Sequence, residues 1–170
     1  DMEAELGEGN KKPEILEKLA QYELTLLDWI EEHKGYRKYV ALAGKCWPAF
    51  QTQFGFVPCY VNSRLAGRGI PVSCEVDIYG ALSEYIGTCI REDAVTLLDI
   101  NNTVPYDLYE EDIKGKFDYT AHDIFMGFHC GNTCSKKLSS CQMKYQLIMA
   151  RSLPEEVTQG TLEGDIAPGE

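Results

Sequence analysis

Two acidic residues and one histidine stand out by what surrounds them. Glu75 falls at the end of an apolar run over 70–76, and Asp99 near the end of another over 94–100. In an open α/β sheet both would lie at the carboxyl ends of strands, in the crevice where such sheets bind ligands. A carboxylate there can take up and return a proton, or offer oxygen to a cation. Each also has an ordinary reading, Glu75 as a salt-bridged acid at a strand end and Asp99 as a turn or helix cap ahead of Asn101-Asn102. Of the three histidines, His33 belongs to a helix end, where its charge suits the dipole, and His122 to a loop. That leaves His129, followed by Cys130-Gly131-Asn132. With Cys134 and Cys141 nearby, these residues would suit a zinc-stabilised interaction module, but the spacing lacks paired CxxC hooks and buried thiols are the simpler reading.

The elements that must hold these residues follow from periodicity. Residues 13–33 carry Ile15, Leu16, Leu19, Leu24, Leu26, Leu27 and Ile30 at roughly helical spacing, with Pro13 suited to the first turn and Gly35 to the stop. Residues 39–43 form a short apolar run that suits a strand buried on both faces, and the run over 70–76 does the same. Between 77 and 91 a stripe of Ile78, Ala81, Leu82, Tyr85, Ile86, Cys89 and Ile90 predicts a helix, with Asp77 as its N-cap. Strand, helix and strand over 70–100 read as a βαβ unit with parallel neighbouring strands. The fold class expected is therefore α/β, a parallel sheet with flanking helices. A short strand at 124–128 and strand-like stretches at 143–150 and 158–166 make the C-terminal part β-rich. Residues 1–12 are polar and unpatterned and read as a flexible lead-in. The divisions expected are 1–12, an α/β part over 13–104, and a linker with a β-rich region over 105–170.

Composition sets limits on partners. The 170 residues carry 27 acidic against 16 basic side chains, a net charge of −11, so the field repels phosphate backbones and anionic lipid. No basic cluster offsets it, and no apolar run is long enough to cross a bilayer. Nucleic acid and membrane are thus excluded as expected partners. Seven cysteines, four of them in or beside apolar stretches, read as reduced thiols of a cytoplasmic protein.

In chain order, Cys46-Trp47-Pro48, Gly69-Ile70-Pro71, Cys74-Glu75-Val76-Asp77 with Gly80-Ala81-Leu82, Asp99-Ile100-Asn101-Asn102 and His129-Cys130-Gly131-Asn132 resemble blocks of the L-fucose and L-arabinose isomerase superfamily. Residues 160–169 also resemble the start of that family's C-terminal barrel domain. Members are much longer, so the resemblance implies a fragment of a larger enzyme.

The resemblance implies metal-dependent aldose–ketose isomerisation of an open-chain sugar through an enediol. By motif match, Glu75, Asp99 and His129 would hold Mn²⁺, or another divalent cation such as Mg²⁺ or Co²⁺, and Glu75 and Asp99 would exchange the proton. Two carboxylates and an imidazole with open positions suit such a hard cation. Trp47, Asn101, Asn102 and Asn132 are candidates for contacts with the sugar or the ligands, each equally readable as a turn or core residue. The family also implies a homo-oligomeric parent with its site between subunits, so the fragment alone would be inactive. The interval of 54 positions from Glu75 to His129 is shorter than in fucose isomerases proper, which fits the fucose isomerase-like members better. The alternative is a non-catalytic sugar-binding or regulatory relative on the same scaffold.

Overall fold

The computed structural model describes residues 1–129 and 132–169. The chain divides into two compact units, the first formed by Asp1–Leu97 and Cys130–Glu170 and the second by Leu98–His129.

The first unit begins with a short helix, α1 (Met2–Leu6), and a 3₁₀ turn at Pro13–Ile15 that leads into the long helix α2 (Leu16–His33). Proline opens the turn because it needs no N–H there and its φ suits a helix start. Strand β1 (Leu42–Ala43), helices α3 (Ala49–Gln53) and α4 (Cys59–Ala66), strand β2 (Val72–Ser73) and helix α5 (Ile78–Arg91) follow. β1 and β2 pair in parallel, Leu42 with Val72 and Ala43 with Ser73. The apolar runs over 39–43 and 70–76, each expected as a buried strand, thus pair with one another, with α3 and α4 in the connection between them; β2 is buried and β1 half-buried.

The same unit closes with a long antiparallel pair, here numbered after the two strands of the second unit: β5 (Leu138–Tyr145) and β6 (Gln159–Ile166). Met143 faces Leu162 across the pair, and both are buried. The strand expected over 143–150 thus begins earlier and ends at Tyr145, after which residues 149–151 turn as a 3₁₀ helix. Gly160 is required where β6 passes α4. Its φ is +109°, and a Cβ would stand 2.4 Å from the Val57 carbonyl, beside the bond by which Val57 N–H donates to Gln159 C=O at 2.7 Å.

The core joins Leu19 of α2, Tyr60, Val61 and Leu65 of α4, Val72 of β2, and Met143 and Leu162 of β5 and β6. Met2 and Leu6 belong to it as well. Residues 1–12, expected as a flexible lead-in, are accordingly folded. The reason is long-range: Arg64 on α4 pairs with Glu5 of α1 and donates through Nε to Glu23 of α2 at 2.8 Å, while Arg68 donates to the same Glu23 at 3.0 Å. Glu23 and the head of Arg64 are nearly enclosed, so each charge depends on the other for its burial.

The second unit contains β3 (Asp99–Asn101), a helical turn α6 (Tyr106–Leu108) continued by a wider turn over Tyr109–Ile113, and β4 (Met126–Phe128). β3 pairs antiparallel with β4, Ile100 opposite Gly127. This corrects the expected parallel pairing of the strand before α5 with the strand after it. Residues 95–98 have no regular structure, and β3 finds its partner some 25 residues downstream rather than in β2. Among the described residues the fold is mixed α/β with one parallel and two antiparallel two-stranded sheets. No helix among them is long and apolar enough to cross a membrane.

Candidate functional site

Parallel pairing places the carboxyl ends of β1 and β2 at one sheet edge, and both chains turn there into residues that can do chemistry. β1 runs out through Gly44 to Lys45-Cys46-Trp47, and β2 through Cys74 to Glu75-Val76. Two backbone bonds tie these turns: Gly44 N–H donates to Ser73 C=O at 2.8 Å, and Val76 N–H donates to Gly44 C=O at 3.0 Å.

The turn after β2 is strained. Glu75 and Val76 have φ of 60° and 59°, a left-handed conformation disfavoured for any side chain with a Cβ and most of all for a β-branched one. It is anchored on its far side by Asp77, whose carboxylate accepts the Gly80 N–H at 2.8 Å and caps α5, as the sequence led one to expect. Backbone held in this way costs of order 1–3 kcal/mol per residue, and such residues concentrate at functional sites. Here the strain presents the Glu75 side chain to solvent while Cys74, just before it, stays buried.

An open cleft of about 510 Å³ lies against this edge, within the range of small-molecule sites. Lys45, Trp47, Glu75 and Val76 line it from the sheet edge, and Gln146 and Met149 line it from the turn after β5. Trp47 is 40% exposed, so much of its ring is free to meet a ligand. The cleft combines one carboxylate, one ammonium group, an aromatic face and an amide.

Of the residues singled out in the sequence, Glu75 and Trp47 line this cleft; Lys45 and Gln146, which line it too, were not among them. Lys45 could have been noticed from its place just after Gly44, at the carboxyl end of the strand expected over 39–43, though its nearness to Glu75 follows only from the β1–β2 pairing. Gln146 comes from a turn brought here by the β5–β6 pair and has no local signal.

Asp99 and His129 lie in the second unit. The β3–β4 register sets Asp99 opposite Phe128, one residue before His129, so the strand pair brings the two residues to one of its ends. Asp99 is exposed and His129 half-buried. A carboxylate oxygen and an imidazole nitrogen in such positions are suitable donors for a divalent cation that keeps part of its water shell. Among the described residues, no three His, Cys, Asp or Glu side chains are gathered into a metal cage.

The remaining candidates have structural partners. Asn101 lies in β3, and its Oδ1 accepts the Thr103 N–H at 2.9 Å, which closes a turn over Asn102. Asn132 is buried, and its side-chain amide donates to the Val72 carbonyl at 2.8 Å, supporting β2. Cys134 is buried and Cys141 partly so, its thiol pushed up by burial and by nearby Glu5. Cys130, which the zinc reading requires, lies outside the described residues.

No protein-family model matches the chain, and no solved structure matches it. Over part of its length it is similar to curated proteins named sulfoquinovose isomerase. It is 38% identical over 90 residues to that of Clostridium sp. (strain MSTE9), which covers 46% of this chain and 20% of the relative. It is 35% identical over 77 residues to that of Priestia megaterium (strain ATCC 12872 / QMB1551), which covers 45% of this chain and 16% of the relative. The chain thus spans no more than a fifth of the length of these relatives. Their name places them among sugar isomerases, the broad class to which the motif blocks also point.

Proposed function

We propose that the chain is part of an aldose–ketose isomerase that acts on an open-chain sugar. The observation that carries this reading is the cleft at the shared carboxyl edge of β1 and β2, where a strained turn exposes Glu75 beside Trp47. The partial similarity to sulfoquinovose isomerases supports it.

In such a reaction a proton moves between C1 and C2. A Glu75 carboxylate oxygen would take it up from one carbon and return it to the other, acting first as base and then as acid. Trp47 would pack against the apolar face of the sugar and exclude water from that side. Asp99, in the family pattern, shares the proton exchange. Glu75, Asp99 and His129 would hold a divalent cation, Mn²⁺ by the family pattern, which when bound supplies stabilisation of negative charge at O1 and O2. The full-length enzyme would be a homo-oligomer.

The test is calorimetric titration of Mn²⁺ into the full-length protein and its Glu75→Gln, Asp99→Asn and His129→Ala variants, followed by an isomerisation assay. Each substitution is expected to weaken Mn²⁺ binding at least tenfold, by about 1.4 kcal/mol or more, and to abolish interconversion. Unchanged metal binding in all three would overturn the shared site. Sugar binding without interconversion by the wild type would favour the non-catalytic relative instead.

A further inference from the structure

A smaller cavity of the first unit, about 200 Å³, is lined from two helices and from the β1–β2 sheet. Tyr22 and Leu26 of α2 border it, as do Pro58 and Asn62 at the start of α4; each pair is four residues apart and so on one helix face. Leu42 of β1 and Val72 of β2 complete the wall from the sheet. Lys45, Cys46 and Cys74 line both this cavity and the cleft, so the two spaces adjoin along those residues.

Asn62 is the side chain that this arrangement leaves unanswered. It is only 4% exposed, and its Oδ1 has no hydrogen-bond partner among the described residues. Its N–H donates to the Pro58 carbonyl at 2.9 Å within the helix, so what α4 presents on the cavity face at this position is the amide side chain. An enclosed amide oxygen without a donor is costly, and a molecule in the cavity that brings a donor removes the cost. Tyr22 is the other polar group on the helix walls; burial keeps its phenol protonated and neutral well above physiological pH, with Cys46 adding to the effect.

We infer that the cavity binds a small neutral molecule, apolar in body and about the size of a substituted six-membered ring, through one hydroxyl that donates to Asn62 Oδ1. An apolar cavity of about 150 Å³ holds a benzene ring, so about 200 Å³ leaves room for a ring with a small substituent. Apart from Lys45, which is exposed and shared with the cleft, no lining residue is ionised, and a charged ligand would lose its water without gaining a counter-charge. A sugar carries a hydroxyl on nearly every carbon, and most of these would be left unpaired against Leu26, Leu42, Val72 and Pro58. The ligand is therefore not the isomerase substrate, and the inference does not depend on the isomerase reading. Water is a poor occupant too, since each molecule needs two to four polar partners and the aliphatic walls offer none.

The experiment is calorimetric titration of phenol, anisole and toluene into the full-length protein and its Asn62→Leu variant, with the methyl signals of Leu26, Leu42 and Val72 followed by NMR. The wild type is expected to bind phenol at least about tenfold more tightly than anisole, whose ether keeps the oxygen and lacks the proton. Phenol should also shift the three methyl signals. Leucine has the branched shape of asparagine and no acceptor, so Asn62→Leu should lose phenol affinity at least about tenfold while toluene binding persists or tightens. Anisole bound as tightly as phenol, or a phenol-to-toluene ratio unchanged by Asn62→Leu, would overturn the inference. So would phenol binding that leaves the three methyl signals in place. No phenol binding at millimolar concentration would overturn it as well, and the cavity would then hold water only. If Asn62→Leu does not fold, the phenol–anisole comparison and the methyl shifts in the wild type decide the matter by themselves.

Discussion

The two units of the chain hold their candidate residues by different means. Around the β1–β2 edge, Glu75 and Lys45 stand on turns anchored to a packed interior, with Leu19, Tyr60, Val61 and Leu65 all fully enclosed. In the second unit, Leu98–His129, no described residue is buried, and Ile100, Tyr106, Phe117, Tyr119 and Phe125 are all more than half exposed. Asp99 and His129 are therefore positioned by a three-residue strand pair with its backbone bonds, not by a core. The contrast separates two tasks. A strained turn such as Glu75–Val76 requires surroundings that over-determine it, whereas a strand pair of ordinary conformation carries no strain to be held in check.

The largest expected effect tests that contrast directly. Leu19→Ala would empty part of the core at the place where α2, α4 and Gly160 of β6 meet, and should cost about 3–4 kcal/mol in urea unfolding. Phe117→Ala removes a larger side chain from the second unit but should change stability by no more than about 0.5 kcal/mol, because the ring is already 58% exposed. Comparable losses for the two would show that the second unit has an interior of its own.

A smaller effect concerns two tyrosines whose phenols are raised for different reasons. Tyr22 packs against Phe50 and Phe56 with ring centres 5.1 and 5.7 Å away, and burial pushes its pKa up to about 12, with Cys46 adding to the rise. Tyr106 is raised chiefly by its hydrogen bond to Glu110, at an exposed position. For Tyr22 the folded state holds the proton more tightly than the unfolded chain, whose phenol titrates near its ordinary value of about 10. That stability is fully present below about pH 10 and is lost as pH rises toward 12, amounting to roughly 2–3 kcal/mol. Urea unfolding of wild type and Tyr22→Phe at pH 9 and pH 11.5 should show the loss in the first and much less of it in the second. Equal alkaline slopes would place the destabilisation elsewhere. Added salt should leave the Tyr22 behaviour largely intact, since desolvation is not screened, while relaxing the Tyr106 shift.

How much of this was legible depended on the distance over which each feature is decided. The Asp77 cap, the helices over 16–33 and 78–91 and the apolar runs that become β1 and β2 were readable, because their determinants are local: a side chain three residues from an N–H, a repeating stripe, a run of buried residues. The partner of β3 was not. A short strand after a helix looks the same whether it returns to β2 or pairs with Met126–Phe128, and only the latter occurs among the described residues. The burial of Met2 and Leu6 was hidden for a similar reason, since it follows from Arg64 reaching Glu5 across 59 positions. At the site, Glu75 and Trp47 were visible as motif residues. The far wall of the cleft, Gln146 and Met149, came from a turn whose place is set by the β5–β6 pairing.

The smallest expected effect lies where the two kinds of positioning can be told apart most finely. Asp77 is a surface residue by exposure, and replacing such a cap with alanine costs about 1 kcal/mol in an ordinary helix. Its surroundings are not ordinary. A Cβ on Gly80 would stand 2.4 Å from Asp77 Oδ2 and 2.6 Å from Ser73 Oγ, so the first turn of α5 is pressed against the end of β2 with the carboxylate between them. The same carboxylate closes the far side of the turn in which Glu75 and Val76 are held left-handed. Asp77→Ala should therefore lose the ordinary cap energy and also release the turn, visible as faster amide exchange at Glu75 and Val76 with no change at Asp99–Asn101. Asp77→Asn, which keeps an acceptor oxygen, should restore most of both. If Asp77→Ala lowers stability by about 1 kcal/mol while exchange at Glu75 and Val76 stays as slow as before, the cap serves the helix alone. The left-handed turn is then held by the Gly44–Val76 bond to the neighbouring strand, and the anchoring of Glu75 belongs to the sheet edge instead of to α5.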